Sequence, residues 1–237
     1  MKEKTVWVVH YEKLADFVAK TKAVGATGVA IRTDNDIDAA VKAFHVAGIK
    51  VYGWRWPSAK RDSAIAEARR VAELLRQDLD GYFVDPEGAP GRSYDWDLLG
   101  LDGLASDFCD VIKAAAPAKP LGVTSHYRAK KIFPKLPWAA FFQKADLLLP
   151  QAYWRVDGGI VGHGIPEDNY RKSIEDWVAS GGDKRKIVPI AGELSLVNAP
   201  EIKAYASEAR LQKVEALHFY TYTENVSSAV WTAIAKA

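Results

Sequence analysis

The feature that most constrains this chain is an eightfold alternation. Eight short β-rich runs recur, each followed by a segment of helical period. The runs are Thr5 to Val9, Gly28 to Ile31, Lys50 to Trp54, Gly81 to Asp85, Pro120 to Thr124, Leu147 to Gln151, Ile187 to Ala191 and Ala216 to Tyr220. Most are nearly continuous in apolar residues, as parallel strands covered on both faces must be. Between them, one apolar stripe joins Leu14, Phe17, Val18, Thr21 and Val24, and another joins Ile65, Ala68, Ala72 and Leu75. Similar stripes join Leu104, Phe108, Ile112 and Ala115, then Tyr170, Ile174, Trp177 and Val178, and last Val226, Val230 and Ile234. The segment Lys130 to Lys144 is the weakest helix, because Pro134 and Pro137 interrupt it. Gly25, Gly48 and Gly181 stand where helices should end. Strand then helix, eight times over with right-handed crossovers, closes an α/β barrel of the (β/α)8 TIM type. The 237 residues match the roughly 250 such a barrel uses, so residues 1–237 are expected to form one domain. An open doubly wound sheet is the alternative, weakened by the lack of a G-x-G-x-x-G after the first strand.

Composition narrows the partners. The 32 basic and 30 acidic residues nearly balance, which gives no reason to expect nucleic acid or an anionic membrane. Residues 1–10 carry two lysines and only a short apolar run, too short for a signal-peptide core or a membrane span. The expectation is synthesis in the cytoplasm, with release by other means if the chain acts on a cell wall. The lone Cys109 lies in an apolar helical stripe and reads as a buried thiol. The histidines lack ligand spacing, so no metal is expected, and nothing calls for a cofactor. Oligomeric state is not legible.

In a barrel of this kind the working face lies at the carboxyl ends of the strands. Those ends read His10, Arg32, Trp54 to Trp56, Asp85 and Glu87, Ser125 to Tyr127, Gln151 to Trp154, Gly192 and Glu193, and Tyr220 with Tyr222. The strands beneath are apolar, while these ends are polar and aromatic. Asp85-Pro86-Glu87 is the sharpest element. Alternate residues of an extended chain face one side, so both carboxylates point together. Pro86 cannot donate to a central ladder, so the strand stops near Asp85 and leaves Glu87 on the rim. Two close carboxylates resist joint ionisation and aromatic walls desolvate them, which raises a pKa toward that of a general acid. The plainer reading is a rim carboxylate that caps a loop or pairs with Arg92. Glu193 is a second candidate, as nucleophile after strand seven or as a carboxylate bonded to Arg32 or Arg55. Eight tryptophans are many for this length. Trp54, Trp56, Tyr127, Trp154, Tyr220 and Tyr222 are placed to stack on sugar rings or simply to pack the barrel top, whereas Trp7 and Trp177 belong to the core.

The stretch Asp80 to Glu87 resembles the strand-four signature of family 18 chitinases, D-G-x-D-x-D-x-E. It matches at Asp80, Gly81, Asp85 and Glu87 and departs at Phe83, where that family has an aspartate. Its D-x-E ending also resembles family 25 lysozymes, which usually place an aspartate at the end of strand one, where His10 stands here. Pro150-Gln151-Ala152-Tyr153-Trp154 is similar to the strand-six segments of both barrels. The resemblance implies Glu87 as the acid, Asp85 as the group that orients an N-acetyl substituent or a positive intermediate, and Gln151 and Tyr153 as sugar contacts. The expected activity is hydrolysis of a β-linked, N-acetylated polysaccharide such as peptidoglycan or chitin. A barrel that binds carbohydrate without cleaving it is the first alternative, favoured by Phe83; a small-molecule metabolic enzyme is the second.

Overall fold

A computed structural model describes residues 2–237. Eight parallel strands close into a barrel: β1 (Glu3–Val8), β2 (Gly28–Arg32), β3 (Lys50–Arg55), β4 (Gly81–Val84), β5 (Leu121–His126), β6 (Leu147–Gln151), β9 (Ile190–Ala191) and β10 (Ala216–Phe219). Neighbours follow chain order around the ring, and β10 pairs with β1 to close it. The two remaining strands, β7 (Arg155–Val156) and β8 (Gly159–Ile160), form an antiparallel hairpin outside the barrel. Around the ring lie α1 (Leu14–Ala23), α2 (Ile37–Val46), α3 (Arg61–Arg76), α4 (Asp102–Ala115), α5 (Trp138–Lys144), α6 (Pro166–Ala179), α7 (Ala199–Leu211) and α8 (Ser228–Lys236). The fold is the (β/α)8 barrel that the alternation implies.

Local chemistry explains where the elements depart from the sequence pattern. The seventh barrel strand is shorter than its apolar run, because Pro189 has no N–H to donate. Only Ile190 and Ala191 pair regularly, after an isolated bridge from Ile187 to Leu148. Pro134 and Pro137 cut the fifth helical segment into one turn at Ala129–Lys131 and the short α5. The glycine-rich stretch after β6 turns back on itself at Gly158 and Gly159, both at positive φ, to make the hairpin.

The alternation of each strand sorts side chains into two layers. Outward residues such as Val6, Tyr82, Val84 and Leu121 pack under the helices with Phe17, Phe44, Trp138 and Trp177. Inward residues fill the barrel with Trp7, Ala30, Trp54, Phe83, Leu149, Val188 and Ile190. Phe83 stacks on Trp7 at 5.2 Å and on Tyr52 at 4.9 Å. Gly122, beside it on β5, has to be glycine: a Cβ there would lie 2.6 Å from the Phe83 ring. Among these rings the Trp7 indole donates to Nδ1 of His218 at 3.0 Å. Burial pushes the His218 pKa down to about 3, so the ring is neutral and free to accept. Cys109 is buried under the helices and its thiol is pushed up to about 12, which makes it inert.

Candidate active site

Above the Phe83 layer the barrel opens into a cavity of about 220 Å³ at the carboxyl ends of the strands. Strand β4 positions its two acids by simple alternation: Phe83 points in, Val84 out, and Asp85 and Glu87 in again. The Asp85 amide donates to the Arg55 carbonyl at 3.0 Å, the last ladder bond before Pro86. The Ser125 hydroxyl donates to the Pro86 carbonyl at 2.7 Å, and the Trp96 amide donates to the Glu87 carbonyl at 2.8 Å. Trp96 is fully buried, with its indole on the Pro57 carbonyl, and the Asp95 carboxylate accepts from the amides of Ala89 and Asp97. The turn that carries Glu87 is therefore pinned on both sides.

Asp85 is buried, and its carboxyl accepts from the Gln151 amide at 3.0 Å. Burial drives its pKa well above the usual carboxylate range. The neighbouring Glu87 pushes it the same way, and hydrogen bonds from Trp56 and Gln151 pull it partly back. Glu87 is raised as well, chiefly by burial, again with Gln151 opposing. The Gln151 amide thus serves both acids. Glu193 faces the same cavity from the end of β9, with its pKa raised by partial burial and by Asp157 on the hairpin. Its backbone amide donates to the Arg155 carbonyl at 3.0 Å. The preceding Gly192 admits Tyr153: a Cβ at Gly192 would lie 2.6 Å from that ring.

The walls are aromatic. Trp54 meets Trp56 edge-on at 5.3 Å, and Tyr153 stacks on Tyr220 at 5.1 Å. The Trp54 indole N–H is committed to the Val8 carbonyl, so only its ring face is offered. Trp56 is 37% exposed and lies under the Arg32 guanidinium. Burial raises the pKa of the Tyr153 hydroxyl far above its ordinary value, and the carboxylates of Asp85, Glu87 and Glu193 add to the shift. Both tyrosines therefore keep their protons. Among the described residues, no lysine, arginine or histidine lines the cavity.

The expected cluster of Asp85, Glu87, Glu193, Gln151, Tyr153, Trp54, Trp56 and Tyr220 comes together in this one cavity. The ion pairs considered from the sequence do not form. Arg32 pairs with Asp34, Arg55 has Glu67 at 3.9 Å, and among the described residues no ion pair involves Glu87, Asp85 or Glu193. Three aromatic expectations are corrected. Trp154 is fully buried against Tyr205, because Gln151 and Tyr153 take the inward positions of that strand end and turn Trp154 toward α7. Tyr127 is buried and outside the cavity, in a segment drawn outward by the Arg128 ion pair with Asp176 on α6. Tyr222 packs between Phe17 and Trp231 under the helices. Asp80, part of the strand-four motif, sits at the opposite end of β4, where its carboxylate accepts the Val51 amide and contacts His45. Conversely, Trp7, Thr124 and Val156 line the cavity unanticipated. Trp7 looked like plain core, Thr124 lies one residue below the strand end considered, and Val156 belongs to the glycine-rich loop 155–166, whose place on the active face is legible from the sequence but whose hairpin is not.

No protein-family model matches this chain, and no curated protein sequence matches it. Solved structures do. The spore cortex-lytic enzyme SleL of Bacillus cereus superposes with a TM-score of 0.69 at 10% identity, over 99% of this chain and 74% of that one. A psychrophilic family 10 endo-β-1,4-xylanase gives 0.65 at 11% identity, over 99% and 96%. The chitinase domain of the Clostridium difficile spore coat protein CotE gives 0.54 at 13%, over 79% and 63%. At such identities these likenesses establish the (β/α)8 barrel fold alone.

Proposed function

We propose that this chain is a glycoside hydrolase acting on a β-linked, N-acetylated polysaccharide of the peptidoglycan or chitin kind. One observation carries the reading. Two carboxyl groups from a single strand end, both raised by burial and tied together by Gln151, face a small cavity walled by Trp54, Trp56, Tyr153 and Tyr220. A raised carboxyl holds its proton to higher pH than a free one and can pass it to the departing glycosidic oxygen. Glu87, nearer the rim, is the acid in this reading. Asp85, held deeper by Gln151 and Trp56, offers a hydrogen bond to an N-acetyl group while protonated and negative charge to the cation developing on the ring once ionised. Glu193, across the cavity, is the third carboxyl and the candidate nucleophile. The carboxyls of the lining suit a neutral ring better than an anionic one, and the Arg32 guanidinium over Trp56 is already paired with Asp34. The cortex-lytic activity in the name of the SleL neighbour and the chitinase in that of CotE agree with the proposal.

The second reading is a barrel that binds the same glycan without cleaving it. It is favoured by Phe83, which stands where family 18 chitinases have an aspartate and is locked against Trp7. Incubation with purified peptidoglycan and with chitin oligosaccharides, followed by mass spectrometry, separates the two. Shorter oligosaccharides support the hydrolase. Saturable binding without products supports the lectin-like barrel. Neither binding nor products excludes both.

A further inference from the structure

Among the described residues, five buried side-chain polar atoms have no hydrogen-bond partner: Thr124 Oγ1, Trp154 Nε1, Asn169 Oδ1, Tyr170 OH and Thr223 Oγ1. Thr124 alone of these residues lines the cavity. It lies on β5 between the strands that carry Asp85 and Gln151. The register pairs Val84 with Val123 and Leu149 with Thr124, so one step beyond the first pair brings Asp85 beside Thr124. Its side chain is 1% exposed and points inward, in line with Gly122 below it. Beneath it the barrel is closed by Phe83, Trp7 and Leu149, none of which offers a free polar atom: the Trp7 indole is spent on His218. Beside it, the Gln151 amide is turned to Asp85. The Thr124 hydroxyl is thus a buried neutral hydrogen-bonding group in the cavity lining that has no partner within the protein. A buried hydroxyl without a partner destabilises a fold, and sites built to pair with a ligand hydroxyl or amide discriminate strongly through that pairing.

We infer that Thr124 is a specificity-determining residue whose hydroxyl pairs with a neutral hydrogen-bonding substituent of the sugar ring held in the cavity, an acetamido group or a hydroxyl. The inference rests on the proposed function. It separates two roles for Thr124 by opposite signs. A hydroxyl that serves the fold would make Thr124→Val less stable. A hydroxyl that serves the ligand leaves the free protein as stable or more so, because valine keeps the shape and removes an unpaired polar atom, while binding weakens.

The test is calorimetric titration of a Glu87→Gln protein, which holds glycan without turnover, with and without Thr124→Val or Thr124→Ser. The probes are a chitin oligosaccharide, its de-N-acetylated counterpart and a cello-oligosaccharide, alongside melting temperatures of the free proteins. Thr124→Val should weaken binding by roughly 3- to 10-fold, the size of one neutral hydrogen bond, with an unchanged or higher melting temperature. Thr124→Ser should restore most of the affinity. A loss confined to the N-acetylated oligomer identifies the acetamido group as the partner; an equal loss on the cello-oligomer identifies a ring hydroxyl. If Glu87→Gln binds a glycan and Thr124→Val binds it equally well, or if Thr124→Val melts lower with unchanged affinity, the inference is overturned and the proposed function stands. If no oligosaccharide binds the Glu87→Gln protein or the unmodified one, both fall together.

Discussion

Two layers of the same barrel interior, one residue pair apart on β4, show what burial does to chemistry. In the lower layer Phe83, Trp7 and His218 close the barrel; in the upper layer Asp85 and Glu87 open onto the cavity. Desolvation acts on both and favours the uncharged form in each. It pushes His218 down to about 3 and the two carboxyls up. The consequences diverge because of what each group faces. Neutral His218 meets the Trp7 indole and becomes a fixed acceptor in a sealed core. Asp85 and Glu87, which hold their protons more tightly for the same reason, face an open cavity, where a retained proton can be passed on. The same physics builds a structural element below and a reactive one above, and the contact partner decides which.

The largest effect that would sharpen this contrast is at the upper layer. Glu87→Gln keeps the shape and loses the proton. Turnover of the glycan should fall by about 10²–10⁴-fold, the usual worth of general acid catalysis, while binding persists. Steady-state rates on a chromogenic or mass-detected oligosaccharide measure it. Equal rates would move the acid to Glu193 or Asp85.

The next effect is at the lower layer. Phe83→Asp would place a buried carboxyl among Trp7, Tyr52 and His218. The lost ring packing and the buried acid should together destabilise by about 3–5 kcal/mol. For a chain of this size that lowers the melting temperature by roughly 10 °C. A Phe83→Asp protein that melts like the unmodified one would break the distinction between the layers.

The third test uses pH. Unfolded His218 titrates near 6.5 and the folded residue near 3, so between those values the unfolded chain binds the extra proton. Stability from this group is therefore complete above about 6.5 and is lost as pH falls toward 3. His218→Gln retains an acceptor and removes the proton uptake. The gap between the melting curves of the two proteins should narrow on acidification through that window. Parallel curves would mean His218 does not carry the burial assigned to it.

Much of this was legible before any coordinates. The eightfold alternation implies the barrel, and period-2 alternation around a proline points Asp85 and Glu87 together. Both are local consequences of chain geometry. Gln151, Tyr153, Trp56 and Tyr220 follow from their positions at strand ends. What failed was side-chain direction just past a strand, where alternation no longer holds. Trp154, Tyr127 and Tyr222 all lie there, and the neighbours they turned toward, Tyr205, Asp176 and Phe17, are distant in sequence. Thr124 was missed for the opposite reason: it lies within its strand, below the end taken as the rim, and its importance comes from lacking a partner, which only the packed structure reveals.

The smallest expected effect tests the link between the two acids. The Gln151 amide donates toward both Asp85 and Glu87 and favours their charged forms. Gln151→Met keeps the length and removes the donor, so both carboxyls should hold their protons to higher pH. A general acid works while protonated: its contribution is present below its pKa and lost as pH rises through it. Raising that pKa moves the basic limb of the kcat/KM profile to higher pH. A hydrogen bond to a charged group shared between two acceptors is worth about one pH unit on either of them at most. The expected outcome is therefore an upward shift of the basic limb of up to about one unit, with the rate on the acidic side little changed. A downward shift would mean that Gln151 donates to the neutral rather than the charged form. No shift at all, alongside an intact Glu87→Gln defect, would uncouple Gln151 from the acid and leave it as a contact for the sugar alone.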